Sequence, residues 1–219
     1  MAVIHDTTLV PSKLELLAAW LPSQLWYHGG AKPELSRGGG FRLDDPAGEV
    51  GIEFMVVNDA SGAEPTSYLT PLTYRGAPSS EIEDHLIGTM EHGVLGQRWV
   101  YDGGHDPILV AQVVAFLRGD VEAQAQSQSD TVDATVSRDL SVAGELVSSG
   151  GLRIESGSAS TAVSGLTLAS RPVTLKLVRA LGAAKVESHR VESVGEIVAN
   201  WMPSDGQMHR GLFAFVAGD

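Results

Sequence analysis

The sequence predicts an α+β fold, in which two short helices pack on antiparallel sheet and a β-rich unit follows. Three observations carry this expectation. Only two segments, near Leu14–Leu21 and Asp106–Gly119, combine helical periodicity with their own start and stop signals. Strand-length apolar runs, each bounded by turn residues, fill most of the remaining chain. Composition then changes at Asp120–Asp133, DVEAQAQSQSDTVD, which has little aliphatic periodicity and many Gln, Ser and acidic residues. These breaks divide the chain into residues 1–119, a linker or mobile loop over 120–133, and a β-rich unit over 134–219.

Taken in order, Ala2–Leu9 reads as an opening strand. Ser12-Lys13-Leu14-Glu15 has the spacing of a capping box, with the serine accepting from a first-turn amide and the glutamate reaching back. Leu14, Leu17, Ala18 and Leu21 share one helical face, and Pro22 ends the run. Gly38-Gly39-Gly40 reads as a flexible turn before strands Phe41–Asp44, Val50–Asn58 and Ser67–Arg75, the first two joined through the turn chemistry of Asp45-Pro46-Ala47-Gly48. Leu86–Glu91 and Val94–Tyr101 continue the β pattern up to Asp102-Gly103-Gly104. Asp106 as N-cap, Pro107 at the first helical position and Gly119 after the last turn delimit the second helix. Its apolar face carries Leu109, Val110, Val113, Val114 and Leu117. Beyond the linker, strands are expected near Leu152–Glu155, Thr161–Leu168, Val173–Arg179, Ala184–Val191, Val194–Met202 and Gly211–Val216, with a turn at Ser204-Asp205-Gly206. No fixed-period repeat is present.

Composition narrows the functional classes. A chain of 219 residues can bury a substantial core. Its net charge of −12 opposes nucleic acid and anionic membrane surfaces as partners, because phosphate recognition needs clustered Lys and Arg. With no cysteine, zinc–thiolate sites, disulfides and thiol catalysis are excluded. The longest apolar stretch, Ile108–Leu117, is far shorter than the ~20 residues that span a bilayer. The N-terminus lacks the basic-then-apolar pattern of a secretory signal, so a cytoplasmic location is expected.

Trp20-Leu21-Pro22-Ser23-Gln24-Leu25-Trp26-Tyr27, the strands Val50–Asn58 and Ser67–Arg75, the segment ending in Trp99-Val100-Tyr101 and the Asp106–Gly119 helix together resemble the N-terminal cap of bacterial maltokinases and their glucosamine-kinase relatives. Short stand-alone cap-like proteins, sometimes labelled glucan-branching proteins, are more similar still. The resemblance covers about the first 118 residues and implies a cystatin-like arrangement, a curved antiparallel sheet wrapped on a helix. Leu25 departs from the resemblance, since the kinase caps usually carry Arg before the Trp-aromatic pair. Arg171–Arg179, RPVTLKLVR, resembles the kinase strand whose lysine pairs with ATP phosphates, so the β-rich unit is expected to be kinase-N-lobe-like and Lys176 to be a nucleotide contact or a solvated strand lysine. The acids nearby are Glu187 and Glu192, in a stretch with strand alternation where such kinases place a helix.

The chemistry of phosphoryl transfer is otherwise missing from the chain. No His-x-Asp loop is followed by Asn; the asparagines are Asn58 and Asn200; the sequence after the N-lobe-like strands is too short for a catalytic lobe. Gly38–Gly40 is not followed by the Lys-Ser or Lys-Thr of a phosphate loop. Glu91-His92 and His105-Asp106 offer pairs of metal ligands, but a site needs three or four converging in space, and no cofactor is expected. Asp44-Asp45 and Glu81, Glu83, Asp84 are the paired acids of a glycosidase reading, the first better explained as a turn and the second as a solvated loop. Trp26 and Tyr27 are the aromatics placed to stack on a sugar, with corner packing as the competing role. The resulting expectation is a non-enzymatic accessory or interaction protein. The resemblance suggests as partner a sugar kinase or glucan-metabolising enzyme of glycogen, trehalose or maltose-phosphate metabolism. A glucan or amino-sugar binding module and a sugar-modifying enzyme are the alternatives.

Overall fold

A computed structural model describes residues 9–140, 145–182 and 193–218. The strands expected at Ala2–Leu9 and Ala184–Val191, and Glu187 and Glu192, lie outside the described residues except for Leu9. Strands dominate what is described, with two α-helices of eight and twelve residues, so the fold is mostly antiparallel β rather than α+β. The expected helices both form, but they are short packing elements on sheets that carry most of the chain.

Ser12 and Glu15 close the capping box of α1 (Lys13–Trp20), after which Leu21–Ser23 tightens into a single 3-10 turn around Pro22. The first sheet contains β1 (Leu9–Val10), β2 (Leu35–Asp44), β3 (Val50–Asp59), β4 (Thr66–Arg75), β5 (Leu86–His92), β6 (Gly96–Asp102) and β7 (Gln124–Ala125), in the order β1-β5-β6-β4-β3-β2-β7. Asp45 shapes the β2–β3 turn by accepting from the amides of Ala47, Glu49 and Val50, which is turn chemistry, while Asp44 ends β2 opposite Gly51. The glycine run is no turn. Gly38, Gly39 and Gly40 lie inside β2, where the register to β3 slips between Arg37 and Gly39, and Gly40 has φ +136°. A Cβ at Gly40 would sit 2.0 Å from the Phe54 carbonyl oxygen, so close backbone approach at a bulge requires glycine there.

The stretch expected as a linker also has structure. Ala123 is buried, β7 adds to the edge of β2, and Arg42 donates to the carbonyls of Ala125 and Gln128. Its polar composition concealed a short edge strand held by side chains from a neighbouring one.

After α2 (Pro107–Arg118), which starts at Asp106 and ends on left-handed Gly119, the chain builds a second sheet. It comprises β8 (Ser137–Leu140), β9 (Leu146–Ser156), β10 (Ser160–Leu168), β11 (Arg171–Val178), β12 (Ser193–Trp201) and β13 (His209–Gly218), in the order β8-β12-β13-β11-β10-β9. The two sheets are separate but share a core. Leu109, Val113 and Phe116 of α2 belong to one apolar cluster with Phe41 and Phe54 of the first sheet and Val163, Leu175 and Phe213 of the second. On the other face of the first sheet, Leu17 and Leu21 pack with Met55, Val57, Tyr68 and Val100. Coverage on both faces explains the continuous apolar run Phe54-Met55-Val56-Val57: alternate residues serve opposite cores.

Backbone bonds stitch the sheets together. Leu69 N–H donates to the Arg179 carbonyl, Leu181 N–H to Ser67, and Met202 N–H to Gly38.

A cleft at the junction of the two sheets

The junction is organised by the short segment Asp102–Asp106. Asp102 accepts from the Gly104 amide and turns the chain through one 3-10 turn; Asp106 then caps α2 by accepting from the Ile108 amide. Arg75 donates to both oxygens of Asp106, and Thr73 donates to one of them. Between these two anchored aspartates His105 has little freedom. Its ring stacks on His85, with centroids 3.7 Å apart and planes 12° from parallel.

A polar chain runs from that stack into the second sheet. His105 Nε2 is 2.8 Å from Ser156 Oγ, which is 2.9 Å from Thr161 Oγ1. Arg179 Nε donates to Thr161 Oγ1 at 2.8 Å, and its Nη2 donates to both Asp102 oxygens at 2.8 and 2.7 Å. Arg179 is completely buried, and its guanidinium lies 4.9 Å from the Trp26 ring centroid. Burial, the main cause, together with the neighbouring His85 and Arg179, outweighs the Asp102 charge and holds the His105 imidazole down at about 4. His105 is therefore neutral at physiological pH.

Beside this chain opens a shallow cleft of about 500 Å³. It is lined by the turn Ser23–Leu25, the His85–His105 stack and the end of β9 at Ile154–Ser156. Leu25 is 72% exposed.

The aromatics singled out from sequence do not line this cleft. Trp26 is fully buried, edge-on to Trp20 at 5.6 Å and 5.9 Å from Tyr68, so it offers no face to a sugar. Tyr27 packs on Tyr68 at 5.2 Å and donates its hydroxyl to Asp59 at 2.6 Å, closing the loop that contains Gly30 and Ser61. Burial first, and then the Asp59 hydrogen bond, push the Tyr27 hydroxyl up to about 12. Both residues act in corner packing. Lys176 is not brought to them: it projects from β11 with its ammonium 5.8 Å from the Phe215 ring centroid. His92 Nδ1 accepts from the amides of Val94 and Leu95 and so closes the β5–β6 turn. Among the described residues no three or more His, Cys, Asp or Glu side chains converge on a metal position.

Sequence reasoning missed Arg179, although a signal was present. Val173, Leu175 and Leu177 alternate inward along β11, and Arg179 continues that phase, whereas Lys176 falls in the other one. An arginine in the inward phase of a strand calls for a buried anion, which Asp102 supplies.

Comparison with protein families matches residues 20–106 to the maltokinase N-terminal cap domain. The match runs from Trp20 through β2–β6 of the first sheet to the N-cap of α2, and therefore includes Gln24, Leu25, His85 and His105 of the cleft but neither β1, β7 nor any of the second sheet. No curated protein matches the chain.

Proposed function

We propose, from the premise that residues 20–106 are a maltokinase N-terminal cap-like domain, that this chain is a non-catalytic accessory protein working beside enzymes of glycogen, trehalose or maltose-phosphate metabolism. The observation that carries the reading is the fate of its asparagines. Phosphoryl transfer on a kinase scaffold uses an Asn to hold a magnesium ion. Asn58 is buried, its amide donating to the Met202 carbonyl and its oxygen accepting from Ser67, so it spans the two sheets. Asn200 accepts from Arg210 across β12 and β13. Both serve the sheets. The shared core and the cleft at its edge support a preformed surface for a partner, since little ordering entropy remains to be lost on binding.

The reading is tested by incubating the protein with Mg-ATP and either maltose or glucosamine. Phosphate transfer is expected to stay at the protein-free rate, and turnover above it overturns the proposal. The burial of Trp26 removes that ring from the sugar-binding alternative, which then rests on half-buried Tyr27.

A further inference from the structure

We propose that two copies of this chain pair edge to edge through β9, antiparallel and centred on Ile154. The proposal rests on the strand ladder and its charges, and is independent of the accessory reading.

The two sheets have four edges, and among the described residues three of them are short: β1 and β7 have two residues each and β8 has four. β9, with eleven, is long, and among the described residues it pairs with β10 alone. It contains neither Pro nor Lys, the residues that commonly blunt an edge. The unpaired backbone groups of such a strand are a template for another strand.

Which groups point outward follows from the register. Gly157 N–H donates to the Ser160 carbonyl at 2.9 Å and closes the β9–β10 hairpin. In an antiparallel ladder, hydrogen-bonded and non-bonded pairs alternate. Back from that closing pair, Glu155 bonds to Ala162 and Arg153 to Ser164, whereas Ser156 and Ile154 form the non-bonded pairs with Thr161 and Val163. The amides and carbonyls of Ile154 and Ser156, and by the same alternation of Leu152, therefore face away from β10. A second β9 laid antiparallel, with Ile154 opposite Ile154, sets Leu152 opposite Ser156, and each of these pairs exchanges both N–H···O bonds.

The charges select this register. Arg153 falls opposite Glu155 of the second copy, and Glu155 opposite its Arg153, in non-hydrogen-bonded pairs, where side chains come closest. A shift of two residues either way puts Glu155 against Glu155 or Arg153 against Arg153. The strand is thus complementary to itself, as a two-fold interface requires. Both side chains lie on the solvent face, 76% and 65% exposed, and the salt bridge that Arg153 Nη2 makes to Glu155 Oε1 within one strand, at 2.6 Å, is weak enough to be shared with a second copy.

The test is sedimentation equilibrium of the intact protein in about 0.15 M salt. A monomer–dimer equilibrium is expected, with a dissociation constant on the order of 10 µM for so short an interface. Arg153→Glu and Glu155→Arg are each expected to weaken dimerisation about tenfold, because like charges then face each other. An equimolar mixture of the two variants restores opposite charges at both pairs and should associate within about threefold of the unmodified chain. Both positions are exposed, so neither change threatens folding. Amide hydrogen exchange reads the register: raising the protein concentration should slow Ile154 and Ser156 and leave Arg153 and Glu155, already bonded to β10, unchanged.

A chain still monomeric at about 200 µM overturns the proposal. So do single variants that dimerise as tightly as the unmodified chain, a mixture no tighter than either variant alone, or protection that misses Ile154 and Ser156.

Discussion

Arg179 concentrates the cost and the purpose of the junction in one side chain. Removing a charge from water is repaid only by a well-placed counter-ion and further hydrogen bonds, and here Asp102, Thr161 and the Trp26 face provide them. The arrangement is asymmetric in its consequences. Arg179→Met keeps apolar volume but strands the Asp102 carboxylate in the core, and is expected to destabilise the protein by about 3–5 kcal/mol, read as a lowered urea midpoint. The double variant Arg179→Met with Asp102→Asn should recover part of that loss, because no buried charge is then left unpaired. Little of this residue-scale pattern was legible beforehand. Strand phase marks Arg179 as inward-facing, but its partner is 77 residues away in sequence, and no local pattern joins them. Trp26 and Tyr27 were legible as a structured corner; whether their faces met solvent or the protein depended on Tyr68 and Arg179 closing over them.

At the scale of elements, local chemistry was the better guide. The capping box before α1, the Asp-Pro start and Gly119 end of α2, and the Asp45 turn all form where the residues place them, because each is satisfied by bonds within a few residues. The glycines of β2 show where local reasoning stops. Three consecutive glycines permit a turn, yet the neighbouring strand recruits them into a bulged ladder. Gly40→Ala is expected to cost at least about 2 kcal/mol, since a Cβ would meet the Phe54 carbonyl and φ is positive; thermal or urea unfolding measures it. Gly48→Ala makes a useful comparison. It also has positive φ, but a Cβ there meets nothing within 4 Å, so its cost should be clearly smaller.

At the scale of the whole molecule, α2 and both sheets draw on a single apolar cluster, so they are expected to unfold as one cooperative unit. His105 sits on its joint and makes the stability of that body depend on pH. Its folded value of about 4 lies below the ordinary 6.5, so the folded form stays neutral while the unfolded chain takes up a proton. The contribution is therefore present above pH 6.5 and is lost progressively as pH falls towards 4. Fluorescence of Trp99 in the first sheet and Trp201 in the second, each isolated by replacing the other tryptophans with Phe, should report the same urea midpoint at every pH. Both midpoints should fall through this window, and His105→Gln should flatten the fall. Separate midpoints for the two tryptophans would contradict the shared core.

The sequence by itself determined the helix boundaries, most of the strands and turns, and the resemblance of its first half to the maltokinase cap. These follow from short-range signals: period, capping, turn chemistry and a contiguous stretch of family pattern. Only the tertiary structure decided that helices are a minor part of the fold and that residues 124–125 belong to a sheet. It also buried Trp26 and assembled a cleft from Gln24, His85, His105 and Glu155. Those outcomes rest on contacts between residues far apart in the chain, whose pairing is set by how two twisted sheets share one core rather than by anything their neighbours in sequence require.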